Sequence, residues 1–229
     1  MIGILDSGSG GMAALNELRR LRKKEGIIFF PDRDNAPYGT RTPSEIRELT
    51  ELGIERLVKL GVRRVLIACC TASTVYSSLS DGARAVSIPI IEPTARLAKR
   101  LTERGKIGII ATDATVSSHA FSRALCECET LELPAQRLVG EIEGGARDGT
   151  ITPELAEYLD TLLTPLVRFD ADVLVLGCTH FPLLDGEIRR SLGRITKKKV
   201  LTVSSAMAGA VAIHESLDEC DDGGVTVYL

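Results

Sequence analysis

The sequence contains no tryptophan, and aromatic residues make up only 4% of its 229 positions. Proteins that bind single-stranded nucleic acids stack bases on aromatic side chains, so this composition argues against such a function. The formal net charge of −3 gives no reason to expect a nucleic acid or an anionic membrane as a partner. No apolar run approaches the roughly 20 residues of a membrane-spanning helix, so we expect no membrane span.

The first residues also lack the positively charged region and the cleavage site of a signal peptide. We therefore expect a cytoplasmic protein whose six cysteines are reduced. Reduced cysteines serve as small core residues, as metal ligands or as reactive groups. Cys126 and Cys128 form a close pair, but no second pair follows at zinc-finger spacing, so we expect no metal site.

Two cysteines closely follow short apolar runs that are typical of buried strands. Cys69 follows the run 65–68, Cys178 follows the run 173–176, and a threonine comes shortly after each cysteine. Ligand sites of parallel α/β sheets lie at this end of the strands, and the amides of a helix start favour a thiolate there. One such motif can arise by chance, but two indicate a duplicated arrangement with both thiols facing one cleft.

The spacing of these motifs predicts two similar halves. Asp6, which follows the first apolar strand, stands about as far before Cys69 as Thr112 stands before Cys178. Strands alternate with helical segments along the chain, which predicts an α/β fold with mostly parallel sheets. A repeat of this length is too long for a solenoid unit. Among the less regular segments, we expect a strand at 86–91, a helix at 95–104, and a short strand and loop at 130–139.

Two thiols on opposite sides of a cleft could together invert the configuration at a carbon atom of a bound substrate. One group removes a proton from one face of the carbon, and the other returns a proton to the opposite face. Asp6 and His180 are the natural proton partners of the thiols, and Glu143 is a further candidate acid. Simpler interpretations exist: cysteines fill cores, aspartates form turns, histidines cap helices and glutamates lie on surfaces.

Hydroxyl-bearing residues at the strand ends form a candidate binding site for the charged groups of an amino acid. Their hydroxyls and the neighbouring amides can bind a carboxylate without an arginine. The loop that carries Tyr38 and Gly39 is long enough to lie over the cleft. Turn formation and helix capping would explain the same residues equally well. The hydroxyl-bearing candidates are Ser7, Thr71, Thr112, Thr115 and Thr179.

A competing motif is the dinucleotide-binding fingerprint. Gly8, Gly10 and Ala13 match its spacing, and Asp32 or Asp34 lies about 20 residues further on, where a ribose ligand is expected. A single match of this kind is weak, and it leaves both cysteine motifs unexplained. This alternative predicts thermal stabilisation by NAD, which we expect to be absent.

Several blocks of the sequence together resemble the glutamate racemases of the aspartate/glutamate racemase superfamily. They are GILDSGSGG, NAPYGTRTPSEI, LIACCTAS, IIEPTA, IGIIATDATV and LVLGCTHFPLL. The resemblance implies two similar three-layer α/β domains with mostly parallel sheets, related by pseudo-two-fold symmetry, with the active site between them. The N-terminal domain would comprise residues 1–92 plus about 204–229, and the C-terminal domain residues 93–203.

The resemblance also implies an activity and roles for individual residues. Cys69 and Cys178 would be the catalytic thiols of a racemase that interconverts L- and D-glutamate, and Asp6, His180 and Glu143 would assist them. No nicotinamide, pyridoxal phosphate or metal would be needed, the protein would be a homodimer, and D-glutamate would supply peptidoglycan synthesis. The substrate-binding residues would be Ser7, Pro37, Tyr38, Gly39, Cys70, Thr71, Thr112, Thr115 and Thr179.

Cys70 departs from the pattern of that family, which usually has asparagine at this position. A thiol is a poor hydrogen-bonding partner, and losing one contact costs about 1–3 kcal/mol if the substrate atom stays unpaired. Two alternatives therefore stay open. The first is a racemase of aspartate or another acidic amino acid, and the second is an inactive homologue that only binds its ligand.

Overall fold

The computed structural model describes residues 1–22, 24–217 and 226–228. The strands found in these ranges form two sheets, and neighbouring strands within each sheet run parallel. No helix within these ranges has the length and apolar character that crossing a bilayer requires. The strands are β1 (Ile2–Asp6), β2 (Ile27–Pro31), β3 (Arg64–Ile67), β4 (Ser87–Pro89), β5 (Lys106–Ala111), β6 (Glu129–Pro134), β7 (Val173–Gly177), β8 (Leu201–Ser204) and β9 (Thr226–Tyr228).

The two sheets repeat one strand order. The first sheet runs β4-β3-β1-β2-β9 and the second runs β8-β7-β5-β6, so that β3 and β7 hold equivalent places beside β1 and β5. Cys69 follows β3 and Cys178 follows β7, so equivalent strands of the two halves carry the two thiols. The predicted fold class, α/β with two similar halves and parallel sheets, is confirmed.

Helices lie between successive strands along the chain. They are α1 (Met12–Leu21), α2 (Pro43–Lys59), α3 (Cys70–Ser73), α4 (Asp81–Val86), α5 (Ile91–Leu101), α6 (Asp113–Ser118), α7 (Ala120–Ala124), α8 (Gln136–Glu143), α9 (Pro153–Arg168), α10 (Asp185–Ile195) and α11 (Ser205–Glu215). Short 3-10 helices cover Ser9–Gly11, Arg33–Asn35, Tyr38–Thr40, Tyr76–Ser78 and Phe181–Leu184.

The first long helix, α2, begins where its sequence specifies. The Thr42 side chain accepts a hydrogen bond from the Glu45 amide, and the Glu45 carboxylate accepts one from the Thr42 amide. This reciprocal pair satisfies two amides that the helix itself leaves free, and Pro43 suits the first helical position. The capped start fixes where the preceding loop, which reaches the cleft, must end.

Apolar side chains cover both faces of each sheet, as parallel sheets require. One cluster lies between the two sheets and contains Ile4 of β1, Ile109 of β5 and Ala210 of α11. A second cluster packs α2 on the outer face of the first sheet, and a third packs α9 and α10 on the outer face of the second sheet. The shared central cluster holds the two halves together and leaves the cleft open at the strand ends.

The end of the described chain returns to the first half. Helix α11 packs against α1, β3 and β4, and β9 pairs with β2. The division at residues 92 and 203 stays a prediction, because the central cluster contains residues from both sides of it. Residues 23, 218–225 and 229 of the predicted N-terminal domain lie outside the described residues.

Two expectations about local structure were wrong. Strand β4 ends at Pro89 and α5 begins at Ile91, four residues earlier than expected, because an apolar run cannot distinguish a buried strand from a buried helix start. The strand expected within 130–139 is present as β6, but the segment expected to be a loop after it begins the helix α8, Gln136–Glu143. Gly140 inside that helix weakened the helical pattern, and α8 forms one wall of the site.

Candidate active site

A cavity of about 700 Å³ opens at the carboxyl ends of the central strands of both sheets. Ligand sites of parallel α/β sheets are expected in this location. All but two of the predicted site residues line it. They are Ser7, Pro37, Tyr38, Gly39, Cys69, Cys70, Thr71, Thr112, Glu143, Cys178, Thr179 and His180.

The other two predicted residues, Asp6 and Thr115, lie fully buried behind the wall of the cavity. The Thr179 hydroxyl donates to Asp6 Oδ2 at 3.0 Å, and the Gly8 amide donates to Asp6 Oδ1 at 2.9 Å. The Thr115 hydroxyl lies 2.8 Å from that of Thr112. Both residues therefore reach the cavity only through the side chains that line it.

Cys69 is held at the start of α3 by two polar neighbours. Its Sγ accepts a hydrogen bond from the Ala72 amide at 3.4 Å and lies 3.2 Å from the Ser7 hydroxyl. Burial raises the pKa of the Cys69 thiol to about 11, and the charge of Asp6 adds to the rise, against the lowering effect of these hydrogen bonds. The thiol, and not the thiolate, is the resting form at neutral pH.

Cys178 lies at the start of a chain of polar contacts that crosses the second half. Its Sγ is 3.6 Å from His180 Nδ1, and His180 Nε2 is 2.5 Å from Glu143 Oε1. The Ser9 hydroxyl, which belongs to the first half, donates to the same Glu143 oxygen at 3.0 Å. Partial burial favours the neutral form of Glu143, but the hydrogen bonds from His180 and Ser9 lower its pKa overall.

The backbone amides near the two thiols lower their pKa values, as expected, but burial outweighs this effect. Burial raises the pKa of Cys178 well above its ordinary value, as it does for Cys69 and Cys70. Burial also raises the pKa of Asp6, against the opposing effect of His180. Each thiol then needs a proton acceptor or an incoming positive charge before it can act as a base.

The raised pKa of Cys69 predicts a loss of stability at alkaline pH. An unfolded cysteine has a pKa near 9.0, and the folded Cys69 has a pKa of about 11. The stability that the protonated Cys69 contributes is therefore complete below pH 9 and is lost as the pH rises through 11. Between pH 8 and 10.5, the free energy of unfolding of Cys69→Ser is expected to fall by about 2 kcal/mol less than that of the wild type, as measured by urea unfolding. The exposed Cys126→Ser is the control, and equal losses in wild type and Cys69→Ser would contradict this result.

Three threonine hydroxyls meet across the cleft. Thr71 of the first half lies 2.8 Å from Thr112 and 3.2 Å from Thr115 of the second half, measured between Oγ1 atoms. Each hydroxyl can donate and accept, so the group can turn its donors towards an anion. The cluster therefore joins the halves at a point where a carboxylate could bind.

The turn after β1 packs so closely against the second half that only glycine fits at Gly10. A Cβ atom there would lie within 2.8 Å of His180 Nδ1 and closer still to Thr179 Oγ1. Gly10→Ala is therefore expected to displace both side chains and to lower the activity proposed below about 10²-fold, with the fold retained. Gly193→Ala on α10 is the matched control, because its Cβ would meet open space. Equal activity of the two variants would contradict the prediction.

Several cavity residues were missed by the sequence reasoning, which considered mainly strand ends. Arg33 lies on the loop that was expected to cover the cleft, so its charge was the available signal. Apart from Glu143, the α8 residues gave no signal because that helix was not predicted. The missed residues include Ser9, Arg33, Gln136, Val139 and Gly140.

The competing interpretations find little support in the contacts of their key residues. Asp32, the candidate ribose ligand, is buried and accepts hydrogen bonds from the Tyr38 hydroxyl at 2.6 Å and from the Asn35 amide. Its role here is to hold the loop. Cys126 is exposed, and the described residues contain no group of three or more His, Cys, Asp or Glu placed to hold a metal ion.

Comparison with known proteins gives the family. The model of the Asp/Glu/Hydantoin racemase family matches residues 12–213. The chain belongs to this racemase family. The resemblance predicted from the sequence blocks is thereby confirmed.

Similar proteins include several glutamate racemases. A glutamate racemase of Exiguobacterium sibiricum is 36% identical over 235 residues, covering 100% of this chain and 82% of the relative. A glutamate racemase of Mycobacterium tuberculosis is 36% identical over 227 residues, covering 96% and 80%. The crystal structure of a glutamate racemase isoform from Bacillus anthracis superposes with a TM-score of 0.90 at 30% identity, covering 100% of this chain and 87% of that one.

Proposed function

We propose that this racemase interconverts L- and D-glutamate without a cofactor, using Cys69 and Cys178 as two acid–base groups. The observation that carries the proposal is that equivalent strands of the two halves each deliver one thiol to the same cavity. A substrate α-carbon between the halves would meet one sulfur on each face. The names of the similar relatives support glutamate as the substrate.

In this mechanism the Cys69 thiolate removes the α-proton of D-glutamate and the Cys178 thiol gives a proton to the opposite face. The electron pair of the broken C–H bond passes into the α-carboxylate and then forms the new C–H bond. Conversion of D-glutamate therefore leaves Cys69 protonated and Cys178 deprotonated. The reverse reaction exchanges the two roles and leaves Cys178 protonated and Cys69 deprotonated. Proton transfer through the neighbouring groups restores the starting state.

Polar groups near each thiol would allow it to act as a base, although burial raises its pKa. The substrate ammonium group brings a positive charge into the cavity, which favours a thiolate. Asp6, behind the turn beside Cys69, and His180, beside Cys178, accept or return the proton. Glu143 positions His180 through its hydrogen bond to Nε2. Hydroxyls of Thr71 and Thr112 stabilise the carboxylate as charge builds up on it.

The substrate is tested by following the circular dichroism of each candidate amino acid with purified protein. At concentrations well below KM, L- and D-glutamate are expected to lose their signal at matching rates, and L-aspartate much more slowly. Inversion of aspartate but not glutamate would favour the alternative that Cys70 motivates. Binding of an acidic amino acid without any α-hydrogen exchange in D₂O would instead favour an inactive homologue.

Three broader statements belong to the same proposal. The D-glutamate formed would serve peptidoglycan synthesis in the cytoplasm, so the gene is expected to restore growth of a bacterium that requires added D-glutamate. Pro37, Tyr38, Gly39 and Cys70 would contact the substrate, as their place in the cavity wall supports. The active form would be a homodimer, and a monomeric mass in light scattering at assay concentration would refute that part alone.

A further inference from the structure

The charges around the cavity are unevenly distributed. Among the lining residues that the structure describes, Arg33 is the one lysine or arginine, whereas Glu143 lines the wall and Asp6 lies behind it. Glu143 is already bonded to His180 and Ser9. A dicarboxylic amino acid brings two negative charges and one positive charge into this site. The hydroxyl cluster can bind one carboxylate, and a cation would bind the second more strongly than uncharged hydroxyl or amide donors can.

The Arg33 guanidinium is available for that role. Within the described ranges it forms neither an ion pair nor a side-chain hydrogen bond, and its side chain is exposed to solvent. Arg41 on the same loop differs, because it donates to the Asn35 carbonyl and pairs with Glu45. An unpaired guanidinium in a binding cavity loses no existing partner when an anion arrives.

The backbone that carries Arg33 is held in place. Arg33 begins a short 3-10 helix, and the Asp32 carboxylate before it is bonded to Tyr38 and Asn35 of the same loop. Anchoring on both sides fixes the Cα position of Arg33. Only the side chain must then lose freedom on binding, which reduces the entropic cost of the contact.

The position of Arg33 indicates which carboxylate it meets. Cys69, Cys178 and Thr71 are buried at the floor of the cavity, whereas Arg33 and Pro37 are exposed and lie at its mouth. If the α-carbon lies between the thiols, the α-carboxylate and the ammonium group remain at the floor. The substrate side chain then extends towards the mouth, where the guanidinium can form a charge-assisted pair with its terminal carboxylate.

We propose that Arg33 is a specificity-determining residue that binds the distal carboxylate of the substrate. This inference rests on the proposed racemase function and deepens it. It explains how the site selects an acidic side chain although the polar groups at the cavity floor are hydroxyls, thiols and the His180 imidazole. It also favours glutamate over aspartate, because a side chain shorter by one methylene ends nearer the floor.

The test compares Arg33→Met, which removes the charge at similar length, with Arg33→Lys and with Arg100→Met. Arg100 is exposed on α5 outside the cavity, so its replacement controls for the loss of one surface charge. The measured quantities are KM and kcat for D- and L-glutamate and the inhibition constant of glutamine, whose distal group is uncharged. Loop integrity is checked separately by thermal unfolding.

For Arg33→Met we expect KM for glutamate to rise about 10- to 100-fold with kcat changed less than about threefold. The inhibition constant of glutamine should stay within about threefold of wild type, and Arg33→Lys should recover part of the loss. Equal weakening of glutamate and glutamine, or an unchanged KM, would overturn the assignment. A wild-type protein that racemises no amino acid would instead refute the proposed function itself, so the two failures are distinguishable.

Discussion

Replacing either Cys69 or Cys178 by serine is expected to reduce racemisation about 10²- to 10⁴-fold in both directions. A serine hydroxyl is a far weaker acid than a thiol, so it neither forms the required anion nor donates its proton as readily. Both directions must slow together, because two enantiomers have equal free energies and the ratio of their kcat/KM values stays at one. The measurement is circular dichroism with each isomer, and Cys126→Ser, an exposed surface change, is the control.

The two serine variants are expected to differ in hydrogen exchange, although their racemisation falls alike. Cys178→Ser retains Cys69, so it should exchange the α-hydrogen of D-glutamate with D₂O without inverting it. Cys69→Ser should do the same for L-glutamate. Full racemisation by either variant, or exchange of the same isomer by both, would contradict the assignment of one thiol to each face.

Replacing Asp6 by asparagine is the second change with a large expected effect. Asparagine has the same shape and can still accept from the Gly8 amide, while the Thr179 hydroxyl can turn to accept from its amide. The substitution therefore removes the proton acceptor and leaves the packing intact. We expect kcat to fall about 10²-fold or more, as for the loss of a general acid–base group.

The same variant has two further consequences that a purely structural role would not produce. Asp6 helps to raise the pKa of Cys69, and Cys69 must be protonated when L-glutamate reacts, so the alkaline limb of the pH–rate profile for L-glutamate should move to lower pH in Asp6→Asn. Burial raises the pKa of Asp6, so stability falls as the pH rises above its ordinary value of 3.8, and the variant should be at least as stable at pH 7. The exposed Asp81→Asn serves as control. Lower stability with unchanged activity would refute the role.

The sequence was sufficient to predict the repeated fold because local pattern and topology agree at both cysteine motifs. Buried parallel strands must end in the cleft, so the residues after β3 and β7 could be placed from the apolar runs alone. The family resemblance supplied Pro37, and it supported Glu143, for which the residues alone gave only a weak signal. Both line the cavity.

Other features depend on contacts between distant segments, which a linear pattern does not contain. Helix α8 was missed because Gly140 interrupts its pattern, and the missed wall includes Gln136 and Val139. The bond from Ser9 to Glu143 joins residues 134 positions apart. The thiol pKa was expected to be low from the local helix start, but burial by both halves outweighs the nearby amides at Cys69.

The central claim is that two groups act on opposite faces of one carbon, and isotope transfer in D₂O tests it most directly. Protiated L-glutamate is incubated with the wild-type protein, and both isomers are isolated at low conversion and analysed by mass spectrometry. The account predicts that the D-isomer formed carries deuterium at the α-carbon while the remaining L-isomer keeps protium. Protium carried into the product, or deuterium appearing at once in both isomers, would show that one group serves both faces and would contradict the account.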